Sequence, residues 1–337
     1  MSKKPIRIGL YGTNGHQLPL TLPPHAQVVA VADYPAAGLD ASIRVHDNLQ
    51  HMLSDPDIDL VSLCSVRRIE QAEQTILCLQ AGKHVLAEKP CAFTVAELDR
   101  ILAAAQKAGR EFRAMAASNS NLAPSVQAIR KLVDQGVLGT ITHVQAQKSY
   151  PWHDRRPQET AVDGGLVRQV GIHAVRLIHG ATGLRIRSIQ GTSTGLGNPG
   201  QGEIQMASAF AVELDNGGIG SINLNYLNPP NFGTWGNDQV RVFGTRGMAE
   251  TVDGFRRHSL YVPGRESTEL PFPEDLVSPM YIDHYARYLL DGTPMPTPFA
   301  EEIAMTRAML ALQEAADTGQ RIYVPYTDRE EIGHRPR

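Results

Sequence analysis

The sequence predicts an α/β chain: a doubly wound parallel sheet at the N-terminal end, then an α+β domain. Three observations carry this. Short apolar runs alternate with helical patterns through the first third of the chain. A glycine-rich turn directly follows the first of those runs. After Ile186 alternating apolar and polar residues dominate, broken by a hairpin turn, which marks antiparallel strands. A length of 337 residues suits two domains at roughly 150 residues each. The change of pattern divides them as 1–120 and 121–337.

The elements follow in order. Ile6 to Tyr11, Val28 to Ala32 and Leu60 to Cys64 read as buried strands. A helix from about Glu70 to Gln80 stops at Gly82, and His84 to Ala87 resumes as a strand. Thr94-Val95-Ala96-Glu97 is a capping box, in which the Thr oxygen and the Glu carboxylate satisfy free amides at a helix start. That helix ends at Gly109. Pro19, Pro23 and Pro24 leave no room for a full-length helix between the first two strands. Further on, Pro124 to Gln135 and Gly165 to His179 read as helices around a strand at Ile141 to Lys148. Ala207 to Leu214 and Gly220 to Tyr226 are strands joined by Asp215-Asn216-Gly217-Gly218, a strong hairpin turn. Gln239 to Phe243 is a further strand, and Tyr281 to Leu290 and Glu301 to Thr318 are helical.

Composition excludes several classes. Hydrophobic residues make up 42% of the chain and charged residues 20%, enough to build cores and too apolar for disorder. A formal charge of −3 lacks the concentrated basic face of a nucleic-acid binder. No apolar run reaches the roughly 20 residues of a membrane-spanning helix. The N-terminus does not read as a signal peptide. Cys64, Cys78 and Cys91 are an odd count in apolar segments and read as buried, reduced thiols of a cytoplasmic protein.

The motifs point to a dinucleotide. Gly12-Thr13-Asn14-Gly15 sits where a pyrophosphate docks after the first strand. Asn14 and Gln17 stand at the second and third positions of the G-x-G-x-x-G fingerprint, and Asn14 is a stand-in that tolerates positive φ. Asp33 ends the second strand, where an acid accepts hydrogen bonds from the adenosine ribose and repels a 2′-phosphate. It therefore favours NAD over NADP. Ala87-Glu88-Lys89-Pro90 closes a strand at its carboxyl end. A lysine there can hydrogen-bond a substrate hydroxyl and stabilise charge developing on its oxygen. Gln169 and His173 are four apart on a helix, one face, and a histidine is a natural proton carrier for alcohol oxidation. Trp152 and His153 suit the apolar face of a sugar ring. His153-Asp154 has no helical metal-ligand spacing, so no metal is expected.

Together these residues resemble the Gfo/Idh/MocA (glucose–fructose oxidoreductase / inositol dehydrogenase) family over nearly the full length. The resemblance rests on the turn after Tyr11, on Ala81 to Pro90 with Thr94 to Glu97, on Gly136 to Gly139, on Gly164 to His173 and on Val242 to Gly247. It implies a Rossmann doubly wound parallel sheet followed by an α+β domain with a large, mostly antiparallel sheet, whose outer face forms homodimers or homotetramers. It implies NAD(P)-dependent oxidation or reduction at a carbinol carbon of a sugar, inositol or related polyol. The catalytic set is then Lys89, His173 and Gln169. Gly12, Thr13, Asn14, Asp33, Ser65, Arg67, Glu88 and Lys89 are the cofactor contacts. Lys89, Asn121, Trp152, His153, Gln169 and His173 are the substrate contacts. The chain departs from the family at Gln169 and Arg176, where Asp is frequent, and at Val66-Arg67-Arg68, where Thr-Pro-Asn is frequent. Two alternatives stay open: a member that holds NAD tightly and cycles it through elimination, hydrolysis or transfer, and a catalytically degenerate sugar sensor.

Overall fold

Mostly apolar, buried runs become the central parallel strands, and a short, mostly polar strand, Arg44–His46, forms one edge. In the computed structural model, which describes residues 4–115, 120–277 and 280–327, these strands are β1 (Ile6–Tyr11), β2 (Ala26–Ala32), β3 (Arg44–His46), β4 (Leu60–Leu63), β5 (His84–Glu88) and β6 (Phe112–Met115). They form one sheet in the order β3-β2-β1-β4-β5-β6, with every neighbouring pair parallel. Strand order reverses between β1 and β4, so ligands are expected beyond the carboxyl ends of these two strands.

The helices of this sheet are α1 (Leu49–Leu53), α2 (Gln71–Gln80) and α3 (Val95–Ala108). The capping box forms: Thr94 Oγ1 accepts from Glu97 N at 3.1 Å, and Glu97 Oε2 accepts from Phe93 N at 2.7 Å. Gly109, at φ 60°, ends α3 in the left-handed conformation that glycine adopts at lowest cost. The first crossover is different. From Gly12 to His25 the chain forms no helix at all.

The rest of the chain forms α4 (Pro124–Asp134), β7 (Ile141–Ser149), α5 (Thr160–Asp163), α6 (Gly165–Thr182), β8 (Ile186–Thr194), β9 (Ala207–Leu214), β10 (Ile219–Asn225), β11 (Gln239–Gly244), β12 (Gly247–Val252), β13 (Arg257–Tyr261), β14 (Thr268–Glu269), α7 (Tyr281–Asp291), α8 (Phe299–Thr318) and β15 (Ile322–Tyr323). The second sheet runs β14-β13-β12-β11-β7-β10-β9-β8-β15. It is antiparallel except where β10 lies parallel to β7. The hairpin at Asp215 to Gly218 is as expected: Asn216 Oδ1 accepts from Gly218 N at 2.9 Å, and Gly217 takes φ 86°. Helix α6 packs on β7 and β10.

Two compact units result: residues 1–117 with 161–164 and 280–302, and the remainder. This changes the division read at residue 120, which gives all later helices to the second domain. Tyr281, Ile282, Tyr285 and Ala286 of α7, with Met295, are buried in one cluster with Ile8, Leu10, Val28 and Val31 of β1 and β2. Leu18, Leu20 and Leu22 of the helix-free crossover pack against the same cluster. Helix α7 supplies the apolar cover for a crossover that has no helix of its own.

Candidate active site

The first unit gathers its candidate residues at the carboxyl ends of β1, β2, β4 and β5. Gly12 follows β1 with φ 68°, and a Cβ there would meet Cys64 O at 2.1 Å. Only glycine lets the backbone leave β1 so close to the end of β4. Asn14 is not among the residues with positive φ. Its contribution is its side chain, which donates to Val66 O at 3.0 Å and to Val162 O at 2.7 Å. Gln17, at the third fingerprint position, donates Nε2 to Tyr11 O, Gly12 O and Ser62 O, and its Oε1 accepts from Ser62 Oγ and Leu18 N. An amide side chain closes the turn at the point where a first helix would begin.

Asp33 is exposed at the end of β2 with φ 48°, and Thr13 is exposed in the turn. Burial and the neighbouring Asp33 carboxylate push the Tyr11 phenol up to about 12. After β4, Ser65 is buried and directs its hydroxyl to Gln74 Oε1 at 2.5 Å, so it anchors α2. Arg67 is exposed beside it. Arg68, which the sequence shows only as part of a basic pair, is buried and donates Nη2 to Asn14 O at 2.5 Å and Nη1 to Gln71 Oε1. Burial lowers its pKa, and the nearby Glu88 carboxylate opposes this.

Lys89 follows β5 and is 5% exposed. Its peptide bond to Pro90 is cis. The side chain of Gln71 donates to the carbonyl oxygens of Glu88 and Pro90, so the backbone is fastened on both sides of Lys89. Glu88 is fully buried, and its Oε1 lies 2.9 Å from His16 Nδ1. Sequence reasoning missed Gln71, Arg68 and His16. Their partners are mostly main-chain atoms or residues far along the chain, which leave no local signature.

The second unit holds the other candidates. Gln169 and His173 lie one turn apart on α6, His173 fully buried and Gln169 half-buried. Asn121 is buried against the same helix: a Cβ on Gly180 would come within 2.7 Å of it. Trp152 and His153 follow β7 and are half-buried. His153 stacks on Trp235 with ring centroids 5.8 Å apart, and Tyr150 lies 6.1 Å from the same ring. Trp235 is 58% exposed and completes an aromatic face that the sequence does not reveal, because it comes from a separate loop.

These features define a class: a doubly wound dinucleotide-binding fold with a buried lysine at the carboxyl end of its sheet, joined to an α+β unit. Comparison with known proteins gives the family. Residues 6–115 match the model described as the oxidoreductase family with NAD-binding Rossmann fold, and residues 126–250 match the GFO/IDH/MocA C-terminal domain. The chain belongs to the GFO/IDH/MocA oxidoreductase family. It is 25% identical over 327 residues to the uncharacterized oxidoreductase YrbE of Bacillus subtilis, covering 91% of this chain and 92% of that one. It is 27% identical over 255 residues to the trans-1,2-dihydrobenzene-1,2-diol dehydrogenase of Bos taurus, covering 73% and 72%. An oxidoreductase structure from Thermotoga maritima superposes with a TM-score of 0.83 at 25% identity, covering 94% of this chain and all of that one.

The donor set fits a dinucleotide. The exposed Asp33 carboxylate offers acceptors for ribose hydroxyls, and Tyr11 sits against it. The pyrophosphate end differs from the usual arrangement, because no helix N-terminus follows Gly12. Backbone amides of the turn are at hand there, Arg68 donates Nη2 to Asn14 O within it, and the exposed Arg67 lies next to Arg68 in the chain.

Proposed function

We propose that this chain is an NAD-dependent dehydrogenase acting at a carbinol carbon of a sugar, inositol or related polyol. The observation that carries the reading is Lys89, a buried cation at the carboxyl end of β5 whose flanking carbonyls are both held by Gln71. Asp33, Gly12, Thr13, Asn14 and Arg67 would hold the dinucleotide, with the Asp33 carboxylate disfavouring the 2′-phosphate of NADP. When bound, the nicotinamide supplies a hydride acceptor. Lys89 donates a hydrogen bond to the substrate oxygen and stabilises the negative charge that develops there. His173 takes the hydroxyl proton, and Gln169, one turn earlier, hydrogen-bonds and orients the reacting groups without holding charge itself. Trp152 and His153, with Trp235, offer aromatic faces to a ring. The ring diol named for the Bos taurus relative has the same kind of reacting centre. The reading includes a cytoplasmic homodimer or homotetramer assembled through the nine-stranded sheet.

The test is NADH formation at 340 nm with a panel of sugars, inositols and ring diols. NAD should support faster turnover than NADP. Lys89→Ala should lower kcat by about 10²–10³-fold, the usual effect of removing a donor to a developing oxyanion. NAD should still raise the melting temperature of the variant. A Lys89→Ala enzyme with near-normal kcat would remove Lys89 from the mechanism.

A further inference from the structure

Helix α6 carries a third polar group on the stripe that holds Gln169 and His173. We propose that Arg176 binds a carboxylate of the substrate, so that the substrate class is a ring hydroxy acid whose carboxylate lies within a few bonds of the reacting carbinol. This rests on the reading above that α6 faces the substrate, and it narrows the class of substrate.

Position comes first. Gln169, His173 and Arg176 are at i, i+4 and i+7, which places them on one face of the helix. Helical side chains lean toward the N-terminus, which for Arg176 is the direction of His173.

Burial makes the arginine demanding. Arg176 is 1% exposed. A buried cation needs a charge partner or a full set of hydrogen bonds. Among the described residues, Nη1 donates to Asn121 Oδ1 at a long 3.5 Å, while Nε and Nη2 make no hydrogen bond. Among the described residues Arg68, Arg113 and Arg156 also leave Nε without a hydrogen bond, but only Arg176 leaves both Nε and Nη2 buried and unsatisfied. Arg113 faces Glu302 at 3.5 Å, Arg68 donates to Asn14 O and Gln71 Oε1, and Arg156 lies 3.5 Å from the centre of the Tyr226 ring.

The two unsatisfied atoms identify the ligand. Nε and Nη2 form one edge of the guanidinium, two parallel N–H groups spaced to match the two oxygens of a carboxylate. The molecule uses this same edge elsewhere: Arg7 donates Nε to Asp59 Oδ2 and Nη2 to Asp59 Oδ1, both at 2.9 Å. On the opposite edge, Asn121 is held against α6 by the close approach at Gly180, so it fixes Nη1 and leaves the carboxylate-matching edge for a ligand. Side chains three apart on a helix have Cβ atoms roughly 5–6 Å apart, which sets the short span between carboxylate and carbinol.

The test is binding, which needs no turnover. Thermal shift and calorimetry with NAD present compare D-glucuronate, D-galacturonate and quinate with D-glucose, D-galactose and myo-inositol. At least one acid should bind at least about 10-fold tighter than its neutral counterpart, the scale of a charge-assisted fork. Arg176→Gln should abolish that advantage, and Arg176→Lys should keep only part of it, since it retains the charge and loses the fork. Without ligand, Arg176→Gln should melt at or above the wild-type temperature, because it removes a buried cation with unsatisfied donors. Neutral sugars binding as well as every acid, or an advantage that survives Arg176→Gln, would overturn the proposal. A large loss of unliganded stability in Arg176→Gln would overturn it too, by showing the residue to be structural. An acid that binds through Arg176 while no substrate reduces NAD supports the carboxylate site and refutes the dehydrogenase reading separately.

Discussion

Two crossovers in the same parallel sheet solve one problem differently. Between β4 and β5 the chain forms α2, which packs on both strands and on α3. Between β1 and β2 it forms no helix, and three prolines interrupt the segment. Both crossovers are pinned by a glutamine. Gln71 ties α2 to the main chain around Lys89, and Gln17 ties the glycine turn to β1 and β4. The difference shows that a parallel pair needs an apolar cover and satisfied backbone groups, and that neither has to come from a local helix. It also moves charge. A helix start after β1 would bring a partial positive charge to the turn, whereas here the positive groups come from Arg67 and Arg68 in the loop after β4.

Truncating the borrowed cover should have the largest effect. Tyr285 is fully buried in the α7 cluster. Tyr285→Ala should cost about 3–5 kcal/mol in urea unfolding, the usual range for deleting a buried aromatic. Leu79→Ala on the fully buried face of α2 should cost about 2–5 kcal/mol. A Tyr285→Ala loss below 1 kcal/mol would mean that α7 is not the counterpart of a crossover helix.

A smaller effect is expected at Gln17. Gln17→Ala leaves the carbonyls of Tyr11, Gly12 and Ser62 without that donor. A loss of about 1–3 kcal/mol should follow, with NAD affinity falling as the turn loosens. An unchanged unfolding midpoint and unchanged NAD affinity would show that the turn holds its shape without the amide.

The smallest and most local effect is a pH dependence in the second half of the sheet. His84 opens β5, and its Nδ1 accepts from Glu111 N at 3.0 Å. Burial pushes its pKa down from 6.5 to about 4. Between those values the unfolded chain binds a proton that the native histidine does not, so stability falls as pH drops from 6.5 toward 4. Urea unfolding at stepped pH should show that slope, and His84→Gln should flatten it. An unaltered slope in the variant would assign the dependence to other groups.

Local physics made much of the fold legible. Mostly apolar runs marked β1, β2, β4 and β5, and Thr94 with Glu97 marked the start of α3, because each signal lies within a few residues of its effect. What stayed hidden depends on distant pairing. Nothing near β7 announces that β10, more than two elements away, lies parallel to it. Strands β12 and β13 were not foreseen, since β12 buries the polar Glu250 and Thr251 and β13 opens with the polar Arg257, His258 and Ser259, which blurs the apolar alternation. At the candidate site, the sequence displays Lys89, His173 and Asp33 as residue types in telling places. It cannot display Gln71 as the clamp on Lys89, because that clamp is made to carbonyls. Nor can it show that Arg176 is buried with one edge of its guanidinium unsatisfied, since burial and pairing exist only after folding.

Because residues 280–302 belong to the first unit, that unit is begun first and completed late. On a ribosome adding roughly 5–20 residues per second, the sheet that starts at Ile6 waits on the order of ten seconds or more after β6 has been made before α7 exists to cover it. Throughout that interval Ile8, Leu10, Val28 and Val31 lack the α7 part of the cluster that buries them in the finished protein. A fragment cut after β6 would carry the same defect permanently: it contains every strand of the parallel sheet and lacks part of its core.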